Sequence, residues 1–208
     1  MLSRIHLLPF SPGQRIGLYG GSFNPAHSGH YAVALEALKS ARLDWIWWLV
    51  SPQNPLKDPK FTEDYSERLA TARCIASHPR FFVSEFEKKI GSRMTAETLE
   101  ALRPVLRKGK FVWIMGADSF AGLHHWRRWR ELPETLPLLV IDRPGWTFRA
   151  LSSPAAEAFR HARLKEIEAP VLPALTPPAW VFLTLPLRKE SSTEIRKATV
   201  APKSHSKS

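Results

Sequence analysis

Apolar residues along this chain fall into two alternating rhythms. Short, nearly unbroken apolar runs at RIGLYG (15–20), WIWWLVS (45–51), RFFVSEF (80–86), KFVWIMGAD (110–118), PLLVIDRPG (137–145) and WVFLTLP (180–186) have the length and composition of buried strands. Between them, apolar residues recur every three to four positions, which predicts helices over 29–41, 62–78, 95–108 and 153–168. Thr62 is the expected N-cap of the second helix, and Pro104 is expected to interrupt the third. Strands alternating with helices predict an α/β fold, a doubly wound parallel sheet with helices on both faces. Ligands of such sheets bind at the carboxyl ends of the strands, so the informative loops follow Tyr19, Val50 and Met115. The expected organisation is an N-terminal extension (1–14), a single domain (15–198) and a disordered basic tail (199–208).

Composition narrows the class. The chain has 208 residues, enough for one substantial core, and no apolar run near the roughly 20 residues that span a bilayer. One cysteine, Cys74, excludes an intrachain disulfide and a multi-cysteine metal site. The N-terminal stretch lacks the continuous apolar region of a signal peptide, so a cytoplasmic location is expected. The net charge of +11 suits either nucleic acid or phosphorylated small molecules. Much of it is local, in HHWRRWR (124–130), LRKGK (106–110) and the segment from Arg188 onward.

The first loop carries the densest chemistry. In YGGSFNPAHSGH (19–30), Gly20 and Gly21 let the backbone turn sharply after the strand and approach a ligand without a Cβ in the way. The helix starting near Ser28 points free amides and its positive dipole end at the same space, an arrangement that favours an anion. The spacing is neither a Walker motif nor GxGxxG. His27 and His30 share one helical face, and three readings stay open for them: metal ligands, imidazolium groups bridging phosphate oxygens, or incidental turn residues. No HExxH or cysteine set accompanies them. Further on, SSTEIRKA (191–198) reads as a helix N-cap at Ser192 or Thr193, with Arg196 one turn later adding an anion site.

GGSFNPAHSGH resembles the G-G-x-F-D/N-P-x-H-x-G-H signature of the nucleotidylyltransferase superfamily, and SSTEIR resembles its I-S-S-T-x-I-R motif, with Glu190 in place of the usual aliphatic. The resemblance implies a Rossmann-like fold in which both histidines and the second motif bind ATP phosphates. SRMTAETL (92–99) is similar to the S-Y-T-x-D-T-L segment of bacterial nicotinate-nucleotide adenylyltransferases, with Met94 for tyrosine and Glu97 for aspartate. WIMGADSFAGLHHWRRW and VIDRPGW resemble two further segments of that family.

The resemblance implies adenylyl transfer from ATP to nicotinate mononucleotide, giving deamido-NAD and pyrophosphate. His27, His30 and Arg196 would be catalytic; Gly20, Gly21, Ser22, Phe23, Lys57, Asp118, Ser192 and Thr193 would bind ATP; Thr95, Trp126 and Arg143 would bind the mononucleotide. Mg²⁺ would arrive with ATP, and no carboxylate is obviously dedicated to it. Plainer roles stand beside these: Asp118 as a helix cap, Lys57 as a solvated loop lysine, and Trp126 packed against neighbouring arginines. Nicotinamide mononucleotide and phosphopantetheine are the alternative substrates. A basic protein binding single-stranded nucleic acid is the rival from another class. No specific nucleic acid and no membrane are expected as partners, and a homo-oligomer stays open.

Overall fold

The computed structural model describes residues 11–52 and 63–184. The expected Lys57, Thr62 cap, 191–198 motif with Ser192, Thr193 and Arg196, and basic tail all lie outside the described residues.

Seven strands form one parallel sheet: β1 (Arg15–Gly21), β2 (Trp45–Val50), β3 (Phe81–Ser84), β4 (Lys110–Gly116), β5 (Leu138–Ile141), β6 (Arg163–Leu164) and β7 (Trp180–Leu183). Their order is β3-β2-β1-β4-β5-β7-β6. The helices are α1 (Ser28–Ser40), α2 (Tyr65–Ile75), α3 (Phe86–Lys89), α4 (Thr95–Leu106), α5 (Ala117–Ala121), α6 (Glu131–Thr135), α7 (Thr147–Leu151) and α8 (Pro154–Ala158). The expected doubly wound architecture is therefore present.

Side chains that alternate along each strand build two cores, one on each face of the sheet. Trp48, Ile114, Leu139 and Val181 pack against Ala34, Leu38 and Leu69 of α1 and α2. Trp47, Trp113, Val140 and Trp180 face the other way, onto Leu99 and Leu102 of α4, Phe120 of α5 and Leu132 of α6. Apolar side chains thus leave both faces of the central strands, which explains their unbroken apolar sequence.

Three local expectations change. The second helix is capped by Asp64, whose carboxylate accepts from the Ser66 amide at 2.7 Å. Helix α4 runs through Pro104 and ends two residues later. That proline falls in the last turn, where the carbonyl it leaves without a partner belongs to the exposed Glu100. The predicted helix over 153–168 instead breaks up into α8, two short 3₁₀ turns and β6. Trp180 Nε1 donates to the Phe159 carbonyl at 2.8 Å, and Arg163–Leu164 pair with β7, so tertiary pairing overrides the helical rhythm.

On either side of the β1–β4 pair the chain winds in opposite directions. A parallel sheet leaves a crevice at such a switch point, beyond the carboxyl ends of the strands.

Candidate active site

Five segments meet at this crevice: the turn after β1, the start of α1, the end of β2, and the ends of β4 and β5. The turn depends on close backbone approach. A Cβ on Gly20 would stand 2.6 Å from Trp113 Cζ2, and one on Gly21 would press on the Phe23 ring at 3.0 Å. Phe23 takes a left-handed φ of 44°, unfavourable for an aromatic residue. Its ring holds it there, stacked on Trp48 at 4.9 Å and edge-on to His30 at 5.1 Å. Phe23 is therefore a packing anchor for the turn.

His27 is itself the N-cap of α1. Its Nδ1 accepts from the Gly29 amide at 3.1 Å, while His30 Nδ1 accepts from the His27 amide at 3.2 Å, a capping box made of two imidazoles. A nitrogen that accepts an N–H bond carries no proton, so in each neutral ring the proton sits on Nε2. His27 is 3% exposed, and its Nε2 has no hydrogen-bond partner among the described residues. Burial, reinforced by the Arg143 guanidinium, pushes the His27 imidazole down to about 4. The His27 ring is therefore neutral near pH 7, with its proton on Nε2.

Opposite the cradle, Arg143 Nη1 donates to Asp118 Oδ2 at 3.0 Å, bridging the ends of β5 and β4. Gly116 makes room for the pair, since a Cβ there would lie 2.5 Å from Asp118 Oδ1. Among the described residues the Asp118 carboxylate accepts from Arg143 and from no amide of α5, so the plainer role considered for it is not seen. Both charges act on the buried Tyr19 below them, whose hydroxyl burial pushes upward. Arg143 thus stands with Asp118 and His27, beside the turn after β1.

Thr95 opens α4 and is half-buried. Trp126 follows a 3₁₀ turn at Leu123–His125 and packs its inner side on the second core. The guanidinium stack considered for Trp126 falls on Trp129 instead, which carries Arg130 at 4.4 Å. Arg127 Nη1 reaches Met94 Sδ at 3.8 Å, joining the Trp126 segment to the start of α4. The basic run is partly neutralised within itself, because Arg128 pairs with Glu100 at 2.7 Å and Glu131 at 2.6 Å. Among the described residues, no group of three His, Cys, Asp or Glu side chains forms a metal donor set.

Sequence reasoning missed Arg68. Fully buried, it donates to four backbone carbonyls: Ser22 at 2.6 Å, Ser51 at 2.8 Å, Pro52 at 2.6 Å and Glu63 at 3.1 Å. The turn after β1, the end of β2 and the approach to α2 are thereby tied to one guanidinium. A faint signal existed, since Arg68 lies four residues before Ala72, on the stripe α2 buries. Asn24 adds a second tie, accepting from the Glu63 amide at 3.1 Å.

Fold and turn together fit an α/β protein of the nucleotide-transferring kind, with a glycine turn and a helix start at its switch point. The chain belongs to the cytidylyltransferase-like family, whose model matches residues 18–198. Within that family, it is 52% identical to a probable nicotinate-nucleotide adenylyltransferase of Methylorubrum extorquens, over 88% of this chain and 98% of that protein. It is 47% identical to another from Parvibaculum lavamentivorans, over 89% and 92%. The Plasmodium falciparum nicotinic acid mononucleotide adenylyltransferase in complex with NaAD has the same fold, with a TM-score of 0.65 at 17% identity, over 88% of this chain and 83% of that one.

Proposed function

We propose that the chain transfers the adenylyl group of ATP to nicotinate mononucleotide, with the His27–His30 cradle as its phosphate site. The observation that carries this reading is the buried His27 Nε2–H, a fixed donor with no protein partner, at a helix start made for anions. A 5′-phosphate oxygen of the mononucleotide attacks the α-phosphorus of ATP, and the bond from that phosphorus to the bridging oxygen of the β-phosphate breaks. Deamido-NAD forms and pyrophosphate leaves with the bond's electron pair. The attacking oxygen is already ionised, so no protein nucleophile is needed.

What remains for the protein is positioning and stabilisation of charge. His27 and His30 donate from Nε2 to phosphate oxygens. The turn from Gly20 to Phe23 presents backbone amides, and Asp118 and Arg143 border the nucleotide. ATP is taken as its Mg²⁺ complex, so the metal belongs to the substrate. Thr95 and Trp126 face the pyridine mononucleotide, and Trp126 offers an aromatic surface to its cationic ring. Lys57, Ser192, Thr193 and Arg196 are assigned to ATP by resemblance alone. Relatives named probable nicotinate-nucleotide adenylyltransferase, matched over nearly nine-tenths of the chain, support the substrate.

The test is pyrophosphate release from MgATP with nicotinate mononucleotide, nicotinamide mononucleotide and phosphopantetheine in turn. Nicotinate mononucleotide is expected to give the highest kcat/KM. Faster turnover of either alternative overturns the substrate assignment.

A further inference from the structure

Glu87, the second residue of α3, is 6% exposed and buried beneath the end of β2. No cation pairs with it among the described residues. A buried carboxyl without a counter-charge opposes folding, and an apolar side chain of similar size would pack there more favourably. Its hydrogen bonds point to another reason for its presence. The Thr98 hydroxyl of α4 donates to Glu87 Oε1 at 3.0 Å, and the Ser51 side chain at the end of β2 is its second partner. Burial holds the carboxyl up to about 7, so below neutrality it serves as a protonated hydrogen-bonding group rather than as a charge.

Both partners lead into the crevice. On one side, the Ser51 amide donates to the Gly21 carbonyl at 3.0 Å, and the Ser51 carbonyl is held by Arg68, which also grips Ser22 in the phosphate turn. On the other, the Ser92 hydroxyl donates to the Met94 carbonyl at 3.0 Å, and the Thr98 hydroxyl lies 3.3 Å from the same carbonyl, fixing the residue before Thr95. Met94 in turn meets Arg127, next to Trp126. Glu87 is thus the link between a wall that belongs to the phosphate turn and a wall that carries Thr95.

We propose that Glu87 is a positioning residue for the mononucleotide side of the site, setting the start of α4 against the end of β2 through Thr98 and Ser51. The inference rests on the adenylyl-transfer reading above. It touches no substrate itself. Arg68 holds the phosphate turn independently, so loss of Glu87 leaves the ATP cradle in place while the Thr95 wall shifts.

The experiment is steady-state kinetics of Glu87→Leu and Glu87→Gln with both substrates varied, beside the unaltered enzyme. Glu87→Leu is expected to raise KM for nicotinate mononucleotide about tenfold while KM for ATP stays within about twofold. Glu87→Gln, whose amide oxygen accepts from Thr98 and whose NH2 group can donate to the Ser51 hydroxyl, is expected to return the mononucleotide KM to within about twofold of the unaltered enzyme. Parallel changes in both KM values, no change in either, or failure of Gln to rescue overturns the proposal. Where Glu87→Leu does not fold, Thr98→Val removes only the hydroxyl, and the same split must appear there. No turnover of nicotinate mononucleotide by the unaltered enzyme would instead defeat the adenylyl-transfer reading, an outcome separate from any pattern among the variants.

Discussion

On the proposed reading, His27 serves two purposes with two nitrogens. Nδ1 caps α1 through the Gly29 amide, and that bond leaves the proton on Nε2, which is buried without a hydrogen-bond partner among the described residues. The two purposes separate by substitution. In His27→Asn the amide oxygen takes the place of Nδ1 and keeps the cap, but nothing replaces the Nε2–H donor. Loss of one preorganised donor to developing charge lowers kcat by about 10²- to 10³-fold in comparable sites. His27→Asn is therefore expected to lose turnover on that scale with its melting temperature nearly unchanged. A near-normal kcat in a folded variant would remove His27 from the machinery. The motif made His27 and His30 visible in the sequence, but the tautomer was not. It depends on which backbone amide each ring meets, and that is settled only when the turn closes.

At the scale of elements, one side chain holds three segments in register. Arg68 rises from α2 and satisfies carbonyls of Ser22, Ser51, Pro52 and Glu63, none of which belongs to its own helix. Burial alone works against its charge and pulls its pKa down, so the arrangement holds only because every fork of the guanidinium is used. Lysine has three donors on one point and cannot reach four carbonyls in this plane. Each buried carbonyl left without a partner costs about 1–3 kcal/mol. Arg68→Lys is thus expected to lower unfolding free energy by at least about 2 kcal/mol, measured by urea denaturation. A loss below about 0.5 kcal/mol, the ordinary scatter of surface changes, would show that water replaces those bonds freely. Sequence periodicity located α2 but gave no reason to single out an arginine among its charges. The same limit explains the failed helix over 153–168: its apolar spacing was helical, and only the pairing of Arg163–Leu164 with β7 decided otherwise.

For the whole molecule, the alternation of apolar runs and helical rhythms was enough to read a doubly wound sheet, because strands buried on both faces leave unbroken apolar sequence. What the rhythm could not express is how buried ionisable groups on the two faces oppose one another in pH. His27 is pushed down to about 4 from an ordinary 6.5, so acidification protonates the unfolded chain first, and its contribution to stability is lost as pH falls from 6.5 towards 4. Glu87 has the reverse sign. Held up to about 7 from an ordinary 4.5, it keeps its proton in the folded protein after the unfolded chain has released it, so stability is lost as pH rises from 4.5 to 7. A shift of that size corresponds to up to about 3 kcal/mol at pH 7. The two contributions offset each other between pH 4.5 and 6.5. Glu87→Gln removes one of them and leaves every other titrating group in common with the unaltered protein. Unfolding free energies from urea denaturation at pH 4.5, 5.5 and 6.5 are therefore expected to climb more steeply with pH in Glu87→Gln than in the unaltered chain. The gap between the two curves is expected to widen monotonically across that window. Curves that run parallel would mean that Glu87 ionises at its ordinary value and that water reaches its carboxyl beneath β2.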